Sequence, residues 1–279
     1  MITDLTKRYG DKNVVDGLSL TMYENEILVL LGHNGAGKTT TLNMLTGLIK
    51  STSGSAIVYN VQPDPVDLFT DYDNISDFIG LCPQVDVLFT LLTVRENLLF
   101  FCKLRGVEHP ETVITENLEK FNLTARADVF VHQISGGQKR KLQLAVALLG
   151  DSKIVLLDEP TSGMDPTARR ETWEIIKEAK REKIIILTTH YMDEAEYLAD
   201  RVAVVSRGKL DICGTTSFLK RQKGRFFYLE VEPVDPSEVS NERLLSLLQD
   251  QNSLHNSSAS DGALIVEEIK RNDSEMTQM

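Results

Sequence analysis

The sequence predicts an α/β fold: a mixed sheet flanked by helices, with an antiparallel β lead-in, an inserted helical subdomain and a small α+β C-terminal appendage. Three features carry that prediction. Apolar runs of the buried-strand type, Ile27–Leu31, Ile154–Leu157 and Ile184–Leu187, are separated by helical patterns, as in sheets covered on both faces. From Val85 to Gly150 the alternation stops and helical patterns follow one another, which marks a subdomain (about residues 85–150) inserted between two strands. Composition shifts after Gly224, so residues 1–224 are expected to form the main domain and 225–279 the appendage.

Met1–Leu5 and Leu18–Met22 read as antiparallel strands around a turn at Gly10-Asp11. Tyr9 is either an ordinary turn tyrosine or a flat aromatic that stacks on an adenine beside it. Ile27–Leu31 then runs into Gly32-His33-Asn34-Gly35-Ala36-Gly37-Lys38-Thr39-Thr40, a glycine-rich loop continued by a helix. Successive backbone N–H groups in such a loop face one concavity, and the first N–H groups of the helix lack intrahelical partners, so both attract phosphate oxygens. Glycines keep side chains out of the concavity. Lys38 adds positive charge near the β- and γ-phosphates, and the Thr39 hydroxyl is placed to ligate magnesium.

Residues 50–76, with Thr52-Ser53-Gly54-Ser55, Pro63 and Pro65, predict short strands and a turn. Asp77–Cys82 predicts a strand stopped by Pro83. Gln84 follows, either a surface amide or a group that reaches a metal ion or an attacking water. Thr93-x-x-Glu96 is a capping box that opens one amphipathic helix, and Glu111–Phe121 is a second. A third begins after Ile134-Ser135-Gly136-Gly137-Gln138. Ser135 is its expected N-cap, and the glycines leave its N-terminus open as a second anion site, unless the segment is simply a turn. Lys139, Arg140 and Lys141 read as a solvated helix face rather than a functional basic patch.

Ile154–Leu157 ends in Asp158-Glu159-Pro160. Behind a phosphate loop, an Asp at the end of a neighbouring strand holds the magnesium shell, and the adjacent Glu159 takes the proton of, or orients, the water that attacks the γ-phosphate. Two solvated acids at a strand end are the alternative. Asp165 caps a helix with Pro166 at its first position. His190 lies just beyond Lys183–Thr189, where open α/β sheets place their ligands; it either donates to a γ-phosphate or serves as a core or capping histidine. A helix at Met192–Leu198, strands Arg201–Ser206 and Lys209–Cys213 turning at Arg207-Gly208, and a helix at Ser217–Arg221 complete the main domain. In the appendage, Phe226–Val231 and Ala263–Ile269 read as strands and Glu242–Leu248 as a helix; its polar end is expected to be partly disordered.

With 279 residues and 42% hydrophobic content the chain can bury a sizeable core. A formal charge of −11 opposes a long nucleic-acid surface, though not a local basic patch. Three dispersed cysteines, Cys82, Cys102 and Cys213, suit a reducing compartment and show no metal-ligand spacing. Apolar runs such as Leu144–Leu149 fall far short of the roughly 20 residues that span a bilayer, so no membrane span is expected in this chain. The N-terminus has no basic segment followed by an apolar stretch, and no secretory signal is expected.

In this order, the phosphate loop, Gln84, Ser135-Gly136-Gly137-Gln138, Asp158-Glu159, Ser162-Gly163-Met164-Asp165 and His190 resemble the ATPase domain of ABC transporters, a P-loop NTPase, over roughly residues 1–222. His33-Asn34-Gly35-Ala36, Cys82 to Phe89, Lys139-Arg140-Lys141, Gly163 to Pro166 and Tyr191 to Ala195 look like the A subfamily, which moves lipids and sterols. The resemblance implies ATP and Mg2+ as ligands, Tyr9 on the adenine, Gln84 in the loop that meets the transmembrane domains, Glu159 as catalytic carboxylate and His190 as the switch histidine. It also implies a head-to-tail dimer in which Ser135 to Gln138 of one domain cover the ATP of the other, with Asp165 signalling between them. Ile134 stands where the family usually has leucine, a volume-conserving change.

The implied location is the cytoplasmic face of a membrane. Members of the A subfamily carry membrane spans and two such domains in one chain; this sequence has one domain and no span, as a fragment or a separate subunit would. The competing readings are a soluble ATPase of the same type acting on DNA or ribosomes, and a regulatory module that binds ATP without turnover. The first lacks the expected heptads and basic runs, and the second is opposed by the presence of Glu159 and His190.

Overall fold

The computed structural model describes residues 1–60, 64–72 and 75–223. One compact unit runs from Met1 to Thr216 and a second begins at Ser217. Of the second unit the described part is a helix, and the expected elements Phe226–Val231, Glu242–Leu248 and Ala263–Ile269 lie outside the described residues.

The chain opens with β1 (Ile2–Tyr9), β2 (Lys12–Leu20) and β3 (Glu26–Leu31), then α1 (Lys38–Leu45), β4 (Ser53–Val58), β5 (Val66–Asp67) and β6 (Ile79–Cys82). The inserted helices are α2 (Val94–Leu104), α3 (Pro110–Lys120) and α4 (Gly136–Ala147). Then follow β7 (Ile154–Asp158), α5 (Pro166–Ala179), β8 (Ile184–Thr189), α6 (Met192–Leu198), β9 (Arg201–Ser206), β10 (Lys209–Gly214) and α7 (Thr216–Lys223).

The strands form two sheets. A six-stranded sheet has the order β10-β9-β3-β8-β7-β6, parallel throughout except for the antiparallel β10–β9 edge. A four-stranded antiparallel sheet has the order β2-β1-β4-β5. The lead-in strands are longer than their apolar cores suggest, because ladder pairing continues to Tyr9↔Lys12 through polar, exposed residues. Asp77 and Phe78 belong to a short 3-10 turn instead of the strand, which begins at Ile79. Leu5 and Leu18 of the small sheet share a core with Leu28, Leu30, Leu156 and Ile186 of the large one and with Leu42 and Met44 of α1.

Local chemistry accounts for the helix starts. Thr93 and Glu96 form a reciprocal capping box on α2, and Ser135 and Gln138 form another on α4. Asp165 Oδ1 accepts from the N–H groups of Thr167 and Ala168, with Pro166 at N1 of α5. α4 fastens the helical insertion to the sheet edge: a Cβ on Gly80 of β6 would stand 2.0 Å from the Ala147 carbonyl oxygen, so only glycine admits the helix there. Glu194 of α6, 1% exposed, accepts from Thr161 Oγ1 (2.6 Å) and Trp173 Nε1 (3.0 Å), tying the segment after β7 to α5 and α6.

Candidate active site

β3 is buried from Glu26 to Leu30 and delivers the chain to Gly32 at the C-terminal end of the parallel strands. The loop that follows is shaped by close backbone approach. A Cβ on Gly32 would lie 2.3 Å from the Val205 carbonyl oxygen, and one on Gly37, at φ +101°, 2.6 Å from that of Val14. The β9–β10 turn closes on the loop: Gly208 N donates to Ala36 O at 3.0 Å, while Gly208 O accepts from Asp16 N at 2.9 Å. His33, Asn34 and Gly35 form the exposed crest of the loop, and Thr40 lies in the first turn of α1.

Lys38 Nζ donates to Gly32 O at 2.6 Å and His33 O at 3.1 Å, spanning the mouth of the loop. Burial pushes the lysine pKa down, and the carboxylates of Glu159 and Asp158 oppose that shift. Thr39 Oγ1 donates to Asp158 Oδ1 at 3.2 Å, and Thr188 Oγ1 donates to the same oxygen at 2.5 Å. Asp158, the last residue of β7, is 4% exposed.

Glu159 sits one residue beyond the strand in the left-handed region, φ +48°. Its N–H meets the carbonyl and hydroxyl oxygens of Thr188, each at 3.1 Å. The carboxylate is held from two sides: Oε1 is 3.0 Å from His190 Nδ1, and Oε2 accepts from Gln84 Nε2 at 3.4 Å. The ends of β3, β6, β7 and β8 thus bring together the phosphate loop, Gln84, Asp158, Glu159 and His190.

Tyr9, Ser135 to Gln138 and Asp165 stand apart. Tyr9 closes β1, 51% exposed, with Lys7 Nζ 5.0 Å from its ring centre. Ser135, Gln138 and Asp165 bond within their own helix ends, and among the described residues no hydrogen bond joins them to the Glu159 cluster. Backbone bonds to its carboxylate hold Asp165 below its ordinary pKa. Gly136 is exposed, and a Cβ there would meet nothing within 4 Å, so the N-terminus of α4 is open.

The solvated-face reading of Lys139 to Lys141 is corrected. Arg140 and Lys141 are buried and Lys139 half-buried. Lys141 pairs with Glu171 at 2.7 Å, and Arg140 lies under the Glu159 segment. Arg140 falls in helical register with Leu144 and Ala147, an apolar stripe that could have revealed it. Thr188, read only as part of a strand, proves to be a shared partner of Asp158 and Glu159.

The donor set fits a magnesium nucleotide. Side-chain oxygens of Thr39 and Asp158 suit a hard cation, and Mg2+ keeps water and phosphate ligands beyond one or two carboxylates. A cavity of about 490 Å3, lined by Ile2, Met22, Leu45, Leu156 and Ile184 among others, lies by the first residues of β7 and β8 and includes no phosphate-loop residue.

The ABC transporter family matches residues 15–162, just over half of the chain. The protein belongs to that family, as an ATP-binding domain. This ABC domain is 44% identical over 246 residues to human ATP-binding cassette sub-family A member 2, an overlap that covers 85% of this chain and 10% of that protein. It is 40% identical over 251 residues to human sub-family A member 10, covering 89% and 16%. With the rat phospholipid-transporting ATPase ABCA3 it shares 45% identity over 224 residues, covering 78% and 13%. The chain thus spans about a tenth to a sixth of the length of these curated relatives.

Among solved structures, an ATP-binding subunit of an ABC transporter superposes with a TM-score of 0.71 at 27% identity, covering 89% of this chain and 98% of that one. A dimeric post-hydrolysis cassette bound to ADP and Pi gives 0.69 at 24% identity, covering 77% and 97%, and shows the same fold. The fold and the family together make this chain an ATP-binding domain of the ABC type.

Proposed function

We propose that this ABC domain binds ATP with Mg2+ at Gly32 to Thr40, hydrolyses it with Glu159 and acts as one of two such domains that power transmembrane transport, of lipids. The carboxylate of Glu159, held between His190 and Gln84 beside Lys38 and Asp158, is the observation that carries the reading.

Loop N–H groups and Lys38 receive the phosphates. Lys38 exchanges its carbonyl partners, Gly32 O and His33 O, for phosphate oxygens, a charge-assisted and stronger bond. Thr39 and Asp158, with Gln84, would hold a magnesium ion, which would supply positive charge against that developing on the phosphates. Glu159 accepts the proton of the attacking water, and His190 fixes the orientation of the carboxylate. Tyr9 stacks on the adenine.

The open N-terminus of α4, with Ser135 to Gln138, receives the ATP held by a partner domain, because its unpaired N–H groups and helix dipole favour an anion. Asp165 then lies on the shared face. Val85 (69% exposed) and Leu91 (79%), between Gln84 and α2, support docking against transmembrane domains on the cytoplasmic face of a membrane. No helix among the described residues is long and apolar enough to cross the membrane. The likeness to a phospholipid-transporting ATPase supports a lipid cargo.

Glu159→Gln tests the reading, since the amide keeps the size but cannot act as a base. Hydrolysis should fall by about 10²–10⁴-fold while ATP remains bound. The variant should sediment as an ATP-dependent dimer, and adding Ser135→Arg should dissolve it. Hydrolysis at the normal rate would overturn the assignment.

A further inference from the structure

Arg140 is 5% exposed and sits on α4, five residues after Ser135. Its guanidinium reaches three chain segments. Nη1 donates to Pro83 O at 2.5 Å, to Gln84 O at 3.3 Å and to Gln143 Oε1 at 2.9 Å. Nη2 donates to Asp158 O at 2.5 Å and Glu159 O at 2.9 Å, and Nε to Pro160 O at 3.2 Å. A buried guanidinium would be unfavourable without such partners, and its rigid fork sets the carbonyls at fixed separations. Gln143 repeats the link: its Nε2 donates to Val85 O at 2.9 Å.

From this geometry we propose that Arg140 is a positioning residue: it holds Glu159 in its left-handed conformation and Gln84 at its side, and it makes both depend on where α4 stands. The inference rests on the ATPase reading above. A helix transmits displacement as a rigid rod, and five residues span only about 7.5 Å. Movement of the Ser135 end, where a partner's ATP is received, therefore shifts the carbonyls of Asp158 and Glu159 on the same chain. Arg140 couples the anion site that serves the partner to the carboxylate that serves the chain's own nucleotide.

Lysine keeps the charge but carries all its donors on one nitrogen, so it cannot hold Pro83 and Glu159 together. In the full chain, Arg140→Lys should lower kcat by about tenfold or more while KM for ATP moves less than about threefold. Arg140→Gln should do the same or worse. Amide exchange, which needs no turnover, provides the second readout: segments 83–86 and 158–161 should exchange about tenfold faster in Arg140→Lys while β3 and β8 keep wild-type protection.

Wild-type exchange in both segments of Arg140→Lys would overturn the proposal, as would a wild-type kcat in that variant. General acceleration across the sheet with kcat and affinity falling together would also overturn it, since that marks a purely structural arginine. If Arg140→Gln fails to fold, the lysine variant decides. Glu159→Gln in the same assay separates the two ideas. Normal hydrolysis by that variant sinks the catalytic assignment of Glu159, whereas normal behaviour of Arg140→Lys beside an inactive Glu159→Gln sinks only the coupling.

Discussion

His190 Nδ1 lies 3.0 Å from Glu159 Oε1. An ionised carboxylate only accepts, so the ring hydrogen of this pair sits on Nδ1, and a neutral ring then leaves Nε2 as an acceptor. In this arrangement His190 serves Glu159 first; it can also donate to a phosphate only as imidazolium. Removing the ring should leave the carboxylate free to swing. His190→Ala should lower kcat by about 10²-fold, the usual loss for one oriented donor, with ATP affinity measured separately by calorimetry. A fall in affinity with kcat unchanged would make His190 a binding group alone.

Lys38→Met should abolish the rise in thermal midpoint that ATP produces, because the loop loses the charge that meets the phosphates. A pH signature accompanies it. Burial lowers the folded-state pKa of Lys38, so between that pKa and the ordinary lysine value the unfolded chain binds more protons, and stability rises with pH. The cost is thus present at neutral pH and is relieved as pH rises through the lowered pKa. Urea titrations of the nucleotide-free proteins should show wild type gaining on Lys38→Met as the solution is made alkaline. A pH-independent difference would mean that the ammonium is not desolvated.

Tyr9 is 51% exposed at the end of β1. Tyr9→Ala should weaken ATP by about 1–3 kcal/mol, and Tyr9→Trp should bind normally. Magnesium dependence should not change in either. Wild-type affinity in the alanine variant would return Tyr9 to a plain strand end.

Glu194→Ala should destabilise the fold by about 2–4 kcal/mol, because the buried Thr161 hydroxyl and Trp173 indole N–H lose their shared acceptor. Glu194→Gln, whose carbonyl can still accept from both, should recover most of the loss. Equal midpoints for the two variants in denaturant titrations would show that the acceptor is not what matters.

Much of this was legible in the sequence because local chemistry fixes it. The phosphate loop is bounded by an apolar strand and a helix, and the N-caps at Thr93, Ser135 and Asp165 form where side-chain oxygens precede helical patterns. Asp158 and Glu159 stand at a strand end, as expected. What escaped was set by contacts distant in sequence. Arg140 reads as charged and therefore solvated; only the return of Pro83 and of Asp158 to Pro160 around α4 gives it buried carbonyl partners. Thr188 shows its role only once β8 lies beside β7. The lead-in strands outran their apolar residues because ladder bonds do not need buried side chains.

The turn at Arg207-Gly208 looks like a place to splice in a tag or a fluorophore, as exposed hairpin tips usually are. Here the tip is fastened on both sides, Gly208 N to Ala36 O and Gly208 O to Asp16 N, and a Cβ on Gly208 would come within 2.5 Å of the Val14 carbonyl oxygen. An added residue would lift the hairpin from the wall of the nucleotide loop, so a reporter inserted there would disturb the binding it was meant to follow. Gly106, in the turn after α2, has open space around it and is the better graft point.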